Sequence, residues 1–122
     1  MYNPKSMDDQ EFEKLIGEAL DSLPPEFAKK LENVGVTFEN WPSPAQIAKL
    51  RLNRRSLLFG LYEGIPLTQR RNYTGVLPDK ITIFKYPILM VSRTPDEVRA
   101  RVRRTVIHEI GHHFGLSDKE LN

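Results

Sequence analysis

The sequence has no cysteine in its 122 residues. That excludes disulfides and thiolate metal sites, so any bound metal must sit on imidazole and carboxylate. Long apolar runs are missing too. The longest patches, "YPILMV" and "LLFGLY", fall well short of the roughly 20 residues that span a bilayer, so no membrane association is expected. The opening "MYNPKSMDDQEFEK" lacks the apolar core of a secretory signal. Together with the lack of cysteine, this points to a cytoplasmic protein. An excess of one charge is missing as well: 18 basic and 16 acidic residues leave a formal net charge of +2, which is too mild to imply a nucleic-acid partner. The local clusters "KLRLNRR" and "RARVRR" read as solvated faces. No repeat or low-complexity tract appears, which argues against a solenoid or a long disordered tail.

What remains is a soluble balance of 39% hydrophobic and 28% charged residues, enough for one modest core at this length. A single domain over residues 1–122 is expected, with residues 1–7 flexible and the chain a monomer. Ser6, Asp8 and Asp9 mark a helix start, and Phe12, Leu15, Ile16, Ala19, Leu20 and Leu23 recur at helical spacing. Pro24 and Pro25 break that helix and can open the next one. "VGVTFEN", "SLLFGLYEG" and "KITIFKY" read as strands. Between the first two, Ala45 to Leu52 is expected to form one or two helical turns. Ile65 to Asp79 reads as a long loop, and "PILMVSR" as a loop or short helical piece.

The most secure element is a helix over "TPDEVRARVRRTVIHEIGHHFG". Thr94 stands at the N-cap, Pro95 at the first position and Glu97 where a capping box needs it. Val98, Val102, Val106, Ile107, Ile110 and Phe114 supply the expected buried stripe, and Gly115 the left-handed terminator.

All three histidines of the chain lie in "VIHEIGHHFGLSD". His108 and His112, four residues apart, project about 40° from each other and one turn along the helix, so both can reach one metal. Glu109 is offset by about 100° and is aimed at a water on that metal rather than at the ion. After Gly115 the chain can reverse and bring Asp118 back as a third ligand, with Glu120 the alternative. Two imidazoles and a carboxylate leave the fourth position to water, the pattern of a catalytic zinc site. His113 is rotated about 100° from His112 and is expected to be partly exposed. Arg101, two turns before His108, reads as solvated. Tyr73 is a candidate for contacting an oxyanion, and Trp41 for packing between proline-rich turns.

"HEIGHHFGLSD" resembles the extended signature H-E-x-x-H-x-x-G-x-x-D, the aspartate variant of the metzincin zinc site also seen in snapalysin-type proteases. With "LYEGIPLTQR" and "YTGVLPDKITIF", the C-terminal half of the chain resembles the small bacterial zincin-like metallopeptidases called minimal metalloproteases. The resemblance implies an α+β domain with a short mixed sheet beside a C-terminal active-site helix. It also implies Zn2+ held by His108, His112 and Asp118, Glu109 as catalytic base, and a peptide or protein substrate. The chain departs from the larger metzincins in having no methionine after Met90, so the floor under the metal is built differently. Two other classes compete with the peptidase: a metal-binding interaction module whose basic clusters hold an acidic partner, and a metal-free helical nucleic-acid binder. For the substrate, either "KITIFKY" or "LLFGLY" would supply a sheet edge.

Overall fold

The computed structural model describes residues 7–52, 58–64 and 79–114. In chain order these form α1 (Asp9–Asp21), α2 (Pro25–Lys30), β1 (Val34–Glu39), α3 (Pro44–Leu52), β2 (Gly60–Glu63), β3 (Asp79–Phe84), α4 (Lys85–Val91) and α5 (Pro95–His113). The described strands make one mixed sheet in the order β1–β3–β2. Strand β1 is parallel to β3 and β2 antiparallel to it, which is the expected α+β arrangement. The loop expected over Ile65 to Asp79 lies outside the described residues apart from Asp79, which opens β3. Of the stretch expected to be flexible, only Met7 is described, and it is buried.

Helix α1 begins where a side chain satisfies its free amides. Asp8 is the N-cap, its Oδ1 accepting from the Glu11 N–H at 2.8 Å. Phe12, Leu15, Ile16 and Ala19 then face inward, as their spacing predicts. Pro25 opens α2 at its first position. In β3, Ile81, Thr82, Ile83 and Phe84 are all buried. Successive strand residues point to opposite faces, so unbroken burial means that β3 is covered on both. The strand is shorter than "KITIFKY" suggests, because Lys85 and Tyr86 already belong to α4. Lys85 is buried there and donates to Asp9 Oδ1 at 2.8 Å, tying α4 to the start of α1.

Helix α5 is capped as expected, with Thr94 Oγ1 accepting from the Glu97 N–H at 3.1 Å and Pro95 in the first turn. Val98, Val102, Val106, Ile107 and Ile110 enter one core with Phe12, Ile16, Ile81 and Ile88. Each such side chain contributes about 1.5–3 kcal/mol on burial, so together they outweigh any single polar contact in fixing how the helix is turned. Phe114 is a correction to the expected stripe. It is 45% exposed, because it follows the last helical residue and leaves the helical period. Its ring instead lies 4.9 Å from the Lys30 ammonium.

Helix α3 carries a feature that its prolines conceal. Ser43 and Gln46 form a reciprocal capping box: the Ser43 N–H donates to Gln46 Oε1 at 2.8 Å, and the Gln46 N–H to Ser43 Oγ at 3.1 Å. Gln46 Nε2 and Lys49 Nζ also donate to the Glu63 carboxylate at the end of β2. Burial would raise the Glu63 carboxyl. The hydrogen bonds from Lys49 and Gln46, and the charges of Lys49 and Lys80, outweigh that and hold it below its ordinary 4.5.

Thr94→Ala is expected to lower stability by about 1 kcal/mol, read as a lower urea midpoint at unchanged slope. A second expectation concerns pH. Because the folded Glu63 carboxyl is depressed, its stabilising contribution is present above 4.5 and is lost as pH falls through the folded value. Lys49→Met should therefore be less stable than the parent at neutral pH. The gap should close on acidification below 4.5, and a gap that stays constant across that range would contradict the assignment.

Candidate metal centre

Beside the anchored stripe of α5, His108, Glu109 and His112 group together, and Glu109 meets β2. The rings of His108 and His112 lie with centroids 4.0 Å apart at 61°, and both side chains are half-buried. Glu109 is 1% exposed. One donor atom from each of the three residues lies within 4.8 Å of the other two, a grouping that could hold a metal ion. Glu109 thus comes nearer to the imidazoles than its 100° offset suggests, because its side chain is long enough to reach along the helix. Tetrahedral zinc with bonds of about 2.0–2.2 Å keeps neighbouring donors about 3.4 Å apart, within reach of modest side-chain rotation. Two imidazoles with no thiol suit zinc, and the Glu109 carboxylate lies close enough to act on a water there. Asp118, Glu120, Gly115 and Tyr73 lie outside the described residues.

The burial of Glu109 has a structural cause in β2. The Tyr62 backbone N–H donates to Glu109 Oε1 at 3.0 Å. That amide is available because of the strand's register. The Phe84 N–H donates to the Phe59 carbonyl at 2.8 Å, so 59 and 84 are a hydrogen-bonded pair. Alternation along β2 then turns Leu61 and Glu63 toward β3, and the Tyr62 backbone away from it. Among the described strands, "KITIFKY" contributes the central strand β3 and "LLFGLY" the outer strand β2.

Tyr62 serves the site twice. Its ring stacks on His113 at 3.9 Å and 14°, and its hydroxyl donates to Asp79 Oδ2 at 2.8 Å. His113 Nε2 lies 3.8 Å from the same carboxylate oxygen, with the side chain 37% exposed. His113 is therefore partly exposed, as expected. No local spacing links residues 62 and 79 to residue 113, so sequence reasoning has no signal for this cluster. Arg101 is half-buried, and its carbonyl accepts from Thr105 Oγ1 at 2.7 Å. Trp41 stacks on Tyr86 at 5.7 Å yet remains 54% exposed. With Leu58, Met90 and Val91 it lines an open apolar groove of about 810 Å³, bordered by Arg51.

Among the described residues no helix is long and apolar enough to cross a membrane. No curated protein matches the chain. Among solved structures it is similar to a conserved hypothetical protein from Thermus thermophilus. The identity is 21%, over 88% of this chain and 94% of that one, with a TM-score of 0.53, a likeness of fold. Residues 31–122 match the zincin-like metallopeptidase family. The match spans the whole described sheet and the helix that carries the His–Glu–His group, and on that ground the chain belongs to the zincin-like metallopeptidase family.

Proposed function

We propose that the protein is a zinc-dependent peptidase. The observation that carries this reading is the convergence of His108, Glu109 and His112 on one face of α5, with their donor atoms within 4.8 Å of one another. His108 and His112 would hold the ion, and Asp118 is proposed as the third ligand. When bound, zinc lowers the pKa of water toward about 7 and polarises a carbonyl. Glu109 acts as general base, taking the proton of the attacking water and delivering it to the leaving amine. The Tyr62 amide holds Glu109 Oε1 and so orients the carboxylate for that proton transfer. His113, stacked on Tyr62, stays off the metal and shapes the rim. The substrate is a peptide or an unfolded protein segment.

A second reading, a metal-binding interaction module with little turnover, draws support from the open groove. Four of the five large apolar side chains exposed among the described residues line it, and Arg51 stands at its border. An acidic, apolar partner would suit that surface.

Glu109→Gln separates the two. Under the peptidase reading the variant keeps its zinc and loses hydrolysis of a peptide panel by about 10²–10⁴-fold. Hydrolysis at the parental rate would refute the role of Glu109. A zinc-loaded parent that cleaves nothing in the panel would favour the module.

A further inference from the structure

Strand β2 seats unusually close to α5, and Gly60 is the point of contact. A Cβ built on Gly60 would lie 2.5 Å from Thr105 Cγ2 and 3.2 Å from the Thr82 carbonyl oxygen. Carbon atoms in contact settle at about 3.5–4.0 Å, so a side chain at this position forces a shift. Thr105, whose hydroxyl is held on the Arg101 carbonyl, and the Thr82 backbone both resist it. The φ angle of Gly60 lies outside the left-handed region. The requirement for glycine is therefore one of space rather than of backbone conformation.

The next contact along the same seam is the Tyr62 amide on Glu109, at 3.0 Å. Gly60 and Tyr62 are two apart on the strand, and Thr105 and Glu109 are four apart on the helix. Two strand residues advance about 6.7 Å and four helical residues about 6 Å. The two contacts are thus successive rungs of one ladder, and the first sets the spacing of the second. Widening the seam by about 1 Å would take the amide–carboxylate pair beyond hydrogen-bond range.

From this register we propose that Gly60 is a positioning residue for Glu109. By letting β2 seat on the Thr105 methyl, it holds the Tyr62 amide where that amide fixes the carboxylate. The inference rests on Glu109 being the general base, and it adds a second-strand requirement that the His–Glu–His spacing does not contain. Misplacing a reacting group by about 1 Å costs on the order of 10²-fold in rate, so the effect belongs in kcat rather than in substrate or metal binding.

The test compares zinc-loaded parent, Gly60→Ala and Gly60→Ala/Thr105→Ser by steady-state peptide hydrolysis, zinc stoichiometry and hydrogen exchange of the Tyr62 amide. Gly60→Ala should retain zinc and KM, lose about 10–100-fold in kcat, and lose the Tyr62 amide protection that Glu109→Ala also removes. Deleting the facing methyl in the double variant should restore a substantial part of both. A folded Gly60→Ala with parental kcat and a protected amide overturns the proposal, as does a double variant no better than the single one. If Gly60→Ala does not fold, Thr105→Ile adds bulk to the same seam from the helix side. It should lower kcat and amide protection together, and parental values for both overturn the proposal. A parent that hydrolyses no peptide removes the peptidase reading instead. The amide data then decide this inference alone: protection lost in Gly60→Ala and regained in the double variant supports it, and protection retained in Gly60→Ala refutes it.

Discussion

A helix whose apolar stripe is locked in a core cannot turn about its own axis, and the candidate centre takes its geometry from that restriction. Val98, Val102, Val106 and Ile110 are fully buried along α5. Rotating the helix by one residue, about 100°, would expose several of them at about 1.5–3 kcal/mol each. No polar contact at the site is strong enough to compete. The placement of His108, Glu109 and His112 on the helix is therefore fixed whatever the details of their own hydrogen bonds. The cap at Thr94 and the core contacts of α1 decide where the imidazoles stand before any metal arrives.

The second consequence concerns charge. A carboxylate with 1% exposure is costly to bury unless donors satisfy it, and β2 supplies one through the Tyr62 amide. Side-chain chemistry in a strand alternates between faces, but the backbone hydrogen bonds lie in the plane of the sheet. A sheet flanked by a helix can therefore offer amides edgewise to that helix. The strand held by Lys49 and Gln46 at Glu63 also meets α5 at Gly60 and Tyr62. Electrostatics at one end of β2 and close packing at the other hold a single polar bond in register between them.

Much of this is legible in the sequence where the signal is local. The capping and periodicity of α5, the four-residue spacing of His108 and His112, and the strand over Val34 to Glu39 all follow from near-neighbour chemistry. The Ser43–Gln46 box is equally local, in the S-x-x-Q of "SPAQ", but the flanking prolines point toward a loop. Phe114 departs from expectation because a period read along the helix does not announce where the helix stops. What no local rule can supply is the pairing of distant residues. The contact of Tyr62 with Glu109, the Tyr62–Asp79–His113 cluster and the Gly60–Thr105 approach join residues more than fifteen positions apart. They exist because β2 is antiparallel to β3 in one particular register. The order of the described strands, with β3 between β1 and β2, is likewise something periodicity does not encode.

The central claim is that two imidazoles one helical turn apart share a metal ion. It is tested most directly by elemental analysis of protein loaded with zinc and then freed of excess, beside His112→Ala prepared in the same way. The account predicts about one zinc per chain in the parent and, because a four-residue histidine pair cannot act with one member missing, a zinc content near background in the variant. A parent that retains no zinc under any loading condition, or a folded His112→Ala that retains as much as the parent, would contradict it.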